Sequence, residues 1–409
     1  MSRRVGFAFY EFLFFFLFII IMLSFCKLEE KKGISERKEF FEESSFYIGS
    51  APYDYPKFYI SGENIYIGYK NSENKIEFVT FSFPKSISKY ELFEEGELKG
   101  ILPGGIIIDR GSKVFIKDVV TGNENKLFDK YSDVYYVLSP TEFAYFDGNS
   151  IIISYGQNRR MIKATLVEEI KLIKVNERIF TFYKTLIEGK KIILWTEGEK
   201  SGVLGRYKEK KKLNFYPQEG SFVAFLDKPT FGAMENLKLY VNGNEISNFS
   251  LGVTYSWFFV SLEDFPEGEV IAEYDIVPEF DQVEFDVTFN GTDIFFVVFE
   301  QVYEGLLGKV FYGRFDGENF RKLDAFEFSS INKVFLSSKN NFLAVSLLET
   351  YVSRLFVFTV AENHNIIIKS VEFDDVKVFP IILENLPYVF LIEKRGKDLF
   401  LSTYALWQI

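Results

Sequence analysis

Histidine and cysteine are almost missing from this 409-residue chain, each occurring once, as His364 and Cys26. One histidine cannot build a multi-histidine zinc centre, and in a serine triad it would have to act without the carboxylate partner that orients the base. One cysteine allows no intrachain disulfide, so packing and hydrogen bonds must hold the fold even in an oxidising compartment. Phosphate loops and dinucleotide fingerprints are absent as well. "EFDDVKV", from Glu372, lacks the alternating Asp/Asn spacing of a calcium loop. No metal and no cofactor is therefore expected, and His364, in "AENHNI", reads as an exposed turn residue. An excess of positive charge is missing too. Lys and Arg number 47 against 58 Asp and Glu, a formal net charge of −11 that repels nucleic-acid phosphates. The one basic cluster, Arg206 with Lys208, Lys210, Lys211 and Lys212, reads as a solvated hairpin or linker, not a polyanion site.

Aromatic residues are what the chain has in abundance. Forty-nine Phe and 24 Tyr bring the aromatic share to 19%, and with Ile and Val they favour pleated sheet, so an all-β fold is expected. A turn followed by an apolar strand recurs along the chain: "SGENIYIGYK" from Ser61, "RGSKVFIKDV" from Arg110, "DGNSIIISYG" from Asp147, "EGKKIILWTE" from Glu188, "NGTDIFFVVF" from Asn290, "SKNNFLAVSL" from Ser338 and "ENLPYVFLIE" from Glu384. Gly62, Gly111, Gly148 and Gly189 are 49, 37 and 41 residues apart. A period of this length with about four strands per unit predicts a β-propeller, because a four-stranded blade buries both faces only between two others. About seven blades are expected, and eight if the 102 residues from Gly189 to Gly291 hold two. Closure is expected by pairing of "SFYIGS", from Ser45, with the C-terminal "LFLSTYALWQI".

That long interval favours an insertion. "NLKLYVNGNEI" is a strand, an Asn242-Gly243 hairpin turn and a strand start, followed by "YSWFFVSL", the Pro266-Glu267-Gly268 turn and "EVIAEYDI". This pattern resembles the small immunoglobulin-like modules of bacterial surface proteins, which implies a short β-sandwich with Trp257 as its core tryptophan. The unit from Phe285 to Phe326 resembles a blade of the sialidase-like propellers, but their Asp-box, S-x-D-x-G-x-x-W, is not met: Arg314, Asp316, Gly317 and Phe320 keep only its Asp-x-x-x-Phe remnant. That likeness implies fold and not activity.

At the N-terminus, Arg3 and Arg4 precede an apolar stretch, Phe12 to Phe25, and charge returns abruptly at Lys27. These are the parts of an export signal. Leu23-Ser24-Phe25-Cys26 resembles a bacterial lipobox, which implies lipidation of Cys26. An uncleaved helix over Phe7 to Phe25 and ordinary cleaved secretion stay open beside it. The expected organisation is a signal or anchor over 1–26, a charged tether over 27–45, propeller over 46–217 and 278–409, and the immunoglobulin-like insertion over 218–277.

Two functions follow from different classes. The first is a noncatalytic, membrane-anchored, extracytoplasmic propeller that binds an envelope protein or glycan partner and no nucleic acid. The second is a glycan-active hydrolase or lyase of sialidase-like type, which needs two carboxylates, or a Tyr and a carboxylate, brought together across blades. Glu197, Asp275, Glu300 and Tyr303 lie near strand ends and are its candidates, each also readable as a solvated edge residue. No catalytic residue is assigned on the sequence.

Overall fold

The computed structural model describes residues 42–405, apart from 53–54, 83–85, 93, 228–231, 255–256, 290, 292, 303–306, 316–319, 329–330, 340–341, 350, 361–365 and 384–387. No helix occurs among the described residues. The strands form nine four-stranded antiparallel sheets.

Seven of these sheets are meanders in chain order, over 57–92, 97–129, 135–163, 167–203, 283–328, 331–374 and 376–405. They are numbered here as blades one to seven. The three C-terminal strands of the seventh are completed by Glu42–Ser50, which pairs antiparallel with Asp398–Ala405, Ser45 opposite Ser402. The first and last described strands thus share one sheet, as the sequence predicts.

Neighbouring blades pack face to face. Ile65, Ile67 and Phe81 of blade one meet Phe379, Ile381 and Phe390 of blade seven, and Phe180, Phe182 and Trp195 of blade four meet Phe285, Phe296 and Phe315 of blade five. First strands touch first strands from blade one through to blade seven, and Phe58 of blade one lies 6.4 Å from Phe379 of blade seven to close the ring. Seven sheets therefore surround one axis with their first strands innermost, and the fold is a seven-bladed β-propeller. The sequence pattern has a direct cause in this packing. A mid-blade strand is covered on both faces, so it reads as a continuous apolar run: Gly105–Asp109, "GIIID", is buried at every position. Burying one Phe such as Phe295 or Phe296, both fully covered, stabilises by about 1.5–3 kcal/mol.

Blades four and five are direct neighbours, so the long interval contains no eighth blade. Its residues form the two remaining sheets. One contains Tyr207–Leu213, Val270–Val277, Ala233–Val241 and Asn244–Ile246, and the other Tyr216–Gln218, Ser221–Asp227, Trp257–Leu262 and Ser250–Val253. They enclose a common core of Leu226, Leu239, Val260, Leu262, Val270 and Ile276. Both central positions of the Asn242-Gly243 hairpin have positive φ, 50° and 83°, the geometry this dipeptide favours. Asn242 also donates through Nδ2 to the Glu267 carbonyl and accepts from the Glu269 N–H, which ties the two turns read from the sequence to each other.

Two details differ from the sequence reading. The expected boundary at 218 falls at the end of the second strand of this sandwich, because the lysine-rich stretch is itself a strand, Tyr207–Leu213, on the edge of the first sheet. Lys210, Lys211 and Lys212 are paired with Glu273, Asp227 and Glu269. Lysines of this kind discourage further strand pairing at an open edge. Trp257 is not a core tryptophan and is 47% exposed. Side chains alternate along a strand, and Phe258, Val260 and Leu262 take the inward phase, which leaves Trp257 on the outer face.

Candidate functional site

Because first strands are innermost, residues at the start of each repeat face the axis. A cavity of about 330 Å3 lies there, lined from Lys57–Ser61 of blade one, Glu97–Leu102 of blade two, Tyr135–Ser139 of blade three and Ile331–Lys339 of blade six. Blades two and six stand on opposite sides of the ring, so the cavity is axial. It reaches Tyr55, Pro56 and Asp133, just ahead of their strands, and therefore opens at the end where the first strands begin.

One wall of the mouth is aromatic. Tyr55 meets Phe379 and Phe335 edge-on at 5.6 and 6.4 Å, and Phe335 meets Phe379 at 4.8 Å. Such pairs add about 0.5–1.5 kcal/mol each beyond their buried area. Ammonium groups stand over this wall: Lys394 Nζ is 5.8 Å from the Tyr55 ring and Lys333 Nζ 5.6 Å from that of Phe335. The cations of the described lining are Lys57, Lys99 and Lys333, Lys99 with Glu97 at 2.6 Å. Asp133 is the only carboxylate in the described lining, and Lys130 donates to it at 2.6 Å.

Tyr59, Tyr135 and Tyr136 are held neutral. Burial pushes Tyr135 far above the usual tyrosine range, and the charge of Asp109, which accepts its hydroxyl at 3.0 Å, pushes in the same direction. Asp109 is already committed, accepting from Lys130 at 2.7 Å and from the Gly111 N–H at 2.9 Å. Burial also raises Tyr136 against the opposing effect of Lys171, and raises Tyr59 with help from Glu142. Beside Tyr136, Lys171 donates to Asp286 at 2.7 Å, and the other Asp286 oxygen accepts the Leu336 N–H at 3.1 Å. One carboxylate thereby joins blades four, five and six. Burial alone would lower the Lys171 ammonium, but Asp286 and Glu169 outweigh it and hold it charged.

None of the carboxylates proposed from the sequence lines this cavity. Glu197 borders a separate groove in blades three and four, where Arg178 donates to it at 2.7 Å and holds it below the usual carboxylate range. Asp275 lies in the sandwich. Its burial is outweighed by Asn236 at 2.8 Å and Arg206 at 2.7 Å, which keep it ionised. Glu300 stands in the second strand of blade five, opposite Val283 and Lys309. Arg314 pairs with Asp293 at 3.2 Å. Tyr303, His364, Asp316, Gly317 and Cys26 lie outside the described residues, as does the side chain of Phe320. Among the described residues no three His, Cys, Asp or Glu side chains are grouped to hold a metal ion. Sequence reasoning passed over Lys57, Lys99, Lys333 and Tyr135. The available signal was position: each stands within the first three residues of a repeat's opening strand.

No protein-family model and no curated protein matches the chain. Among solved structures it is similar to the polysaccharide lyase Uly1, at 9% identity over 88% of this chain and 90% of the other, with a TM-score of 0.35. It is similar to the Dos1 propeller at 10% identity over 91% and 96%, TM-score 0.41. It is also similar to oligopeptidase B from Trypanosoma brucei at 9% identity over 85% of this chain and 46% of that one, TM-score 0.41. The class of the protein, a seven-bladed β-propeller, rests on the sheet order and ring closure described above.

Proposed function

We propose that this protein is a noncatalytic binding propeller, exported and tethered to a membrane by its N-terminal segment, which takes an envelope glycan or protein partner at the mouth of its axial channel. The observation that carries the reading is the lining of the axial cavity, which among the described residues combines an aromatic wall and several lysines with a single carboxylate, itself engaged by Lys130. Glycoside hydrolysis calls for two carboxylates roughly 5–10 Å apart, and lyase chemistry for a base that can accept a proton. Here Tyr59, Tyr135 and Tyr136 hold their protons and Asp109 is saturated by three donors. The membrane tether is supported by the apolar run ending at Cys26 and the charged stretch after it.

Two measurements test this. A photocrosslinking residue placed at Lys333, compared with one at Trp257 on the sandwich, is expected to capture partner in cells only at Lys333; capture only at Trp257 would move the binding site to the sandwich. Intact mass of membrane-extracted protein is expected to show a chain starting at Cys26 with added lipid, lost in Cys26→Ala. A full-length mass in both would mean that the apolar segment is retained as the anchor.

A further inference from the structure

The axial mouth is built in two layers, and the layers constrain what can occupy it. Along the opening strands the lining has Lys57 with Tyr59, Lys99 with Ile101, and Lys333 with Phe335, each pair two residues apart. Three blades thus repeat one arrangement, a cation at the rim with an apolar or aromatic side chain one step deeper. The protein as a whole carries a formal charge of −11, yet among the described residues the lining of this cleft has three lysines and one carboxylate, with Glu97 paired to Lys99 beside it. Low-dielectric walls concentrate the field of such a cluster on whatever enters.

We propose that the channel mouth binds the end of an anionic glycan, with a carboxylate or sulfate group on the lysine rim and a sugar ring against the aromatic layer below. The proposal rests on the binding reading above and names its ligand class. A cavity of about 330 Å3 accommodates a chain end, not a folded domain. An ammonium is a compact point charge that suits a carboxylate or sulfate. Tyr55, Phe58 and Phe335 offer flat apolar area to a ring, which the side chains of an acidic peptide would leave uncovered.

Isothermal titration of the exported chain would use five probes: tetragalacturonate, its methyl ester, a sulfated galactose tetramer, a neutral galactose tetramer and penta-glutamate. We expect binding of one or both acidic sugars, which tells carboxylate from sulfate, and little or none of the ester or the neutral sugar. The Lys57→Gln/Lys333→Gln variant should bind at least tenfold more weakly with an unchanged unfolding temperature. Should that variant fold poorly, the wild-type affinity for the acidic sugar is expected to fall as salt is raised, the mark of screened charge. Equal binding of acidic and neutral sugars would overturn the anion while leaving a glycan-binding mouth. Binding of penta-glutamate alone would overturn the glycan and favour a protein partner, and binding of none of the probes would also overturn the proposal. Shortened or unsaturated sugar products in the same samples, seen by mass spectrometry, would instead overturn the noncatalytic reading itself.

Discussion

The seam between blades seven and one and the seam between blades four and five solve the same problem with different chemistry. At the first, the strand Glu42–Ser50 is built into blade seven and its chain continues directly into blade one, so backbone pairing fixes which blades meet. The packing there is correspondingly apolar, with Ala51, Ile65, Phe379, Ile381, Phe390 and Leu401 in one cluster. At the second, the chain leaves after Val203 and returns only at Val283. That seam has an aromatic core as well, but it is stitched with directional bonds. Lys171 reaches Asp286, Lys184 donates to the Val283 carbonyl at 3.0 Å, Lys190 meets Asp281 at 2.7 Å, and Lys191 and Phe280 exchange backbone hydrogen bonds at 2.7 and 2.9 Å. Apolar contact is non-directional. Where chain connectivity does not set the register, polar contacts of fixed geometry do.

The largest effect should come from the first seam. Removing residues 42–50 leaves an open strand edge at Asp398–Ala405 and uncovers the cluster behind it. Thermal unfolding should drop by more than for any single substitution, and the variant should aggregate; an unchanged unfolding temperature would mean that the ring does not depend on this strand. Next is the aromatic core of the second seam, where Trp195 and Phe315 lie 4.8 Å apart. Phe315→Ala should cost about 3–5 kcal/mol in denaturant unfolding.

The polar stitches should cost less, in a way that separates them from the core. Asp286→Ala strands the Lys171 ammonium and the Leu336 N–H, and should cost about 2 kcal/mol. Replacing the pair together, Lys171→Met with Asp286→Leu, should recover most of that, because no unpaired charge is left. If the double variant is as unstable as Asp286→Ala, the pair sets register as well as balancing charge. Excision of 207–277 with a short linker should lower the unfolding temperature by only a few degrees, since Lys191 and Phe280 hold the returning chain. Collapse of the ring in that variant would make the sandwich part of the seam.

The smallest effect is a pH dependence in blade one. Burial raises Glu77, but donors from Lys89, Tyr69 and Asn71 outweigh it and hold its pKa below the ordinary 4.5. A depressed folded-state value contributes stability above the unfolded-state value, and that contribution is lost as pH falls through the folded one. Glu77→Gln should therefore destabilise by about 1–2 kcal/mol near neutrality and by progressively less below pH 4.5. A constant difference across that range would contradict it.

The ring was largely legible in the chain. Turn glycines recur because every meander needs tight hairpins, Gly62 between the first and second strands of blade one and Gly111 and Gly148 between the second and third strands of blades two and three, and mid-blade strands are apolar on both faces because both are covered. Closure could be read because Glu42–Ser50 has no other sheet to join. The sandwich was legible through Asn242-Gly243, but its phase was not: whether Trp257 or Phe258 faces inward depends on which residue pairs with Asp227 and Leu226 across the sheet. The lysine strand Tyr207–Leu213 was read as linker because its charges are neutralised by acids some 16 to 63 residues away, among them Asp227 and Glu273. The mouth was hidden for a related reason. Lys57, Lys99 and Lys333 are isolated in the sequence and converge only when the ring closes.

The most direct test of the account is hydrogen exchange of the exported chain with and without tetragalacturonate or the sulfated tetramer, whichever binds. Protection is predicted at Lys57–Ser61, Glu97–Leu102, Tyr135–Ser139 and Ile331–Lys339, four opening strands far apart in sequence that share the axial cavity. Protection confined to 207–277, with those four strands unchanged, would contradict a binding site at the channel mouth.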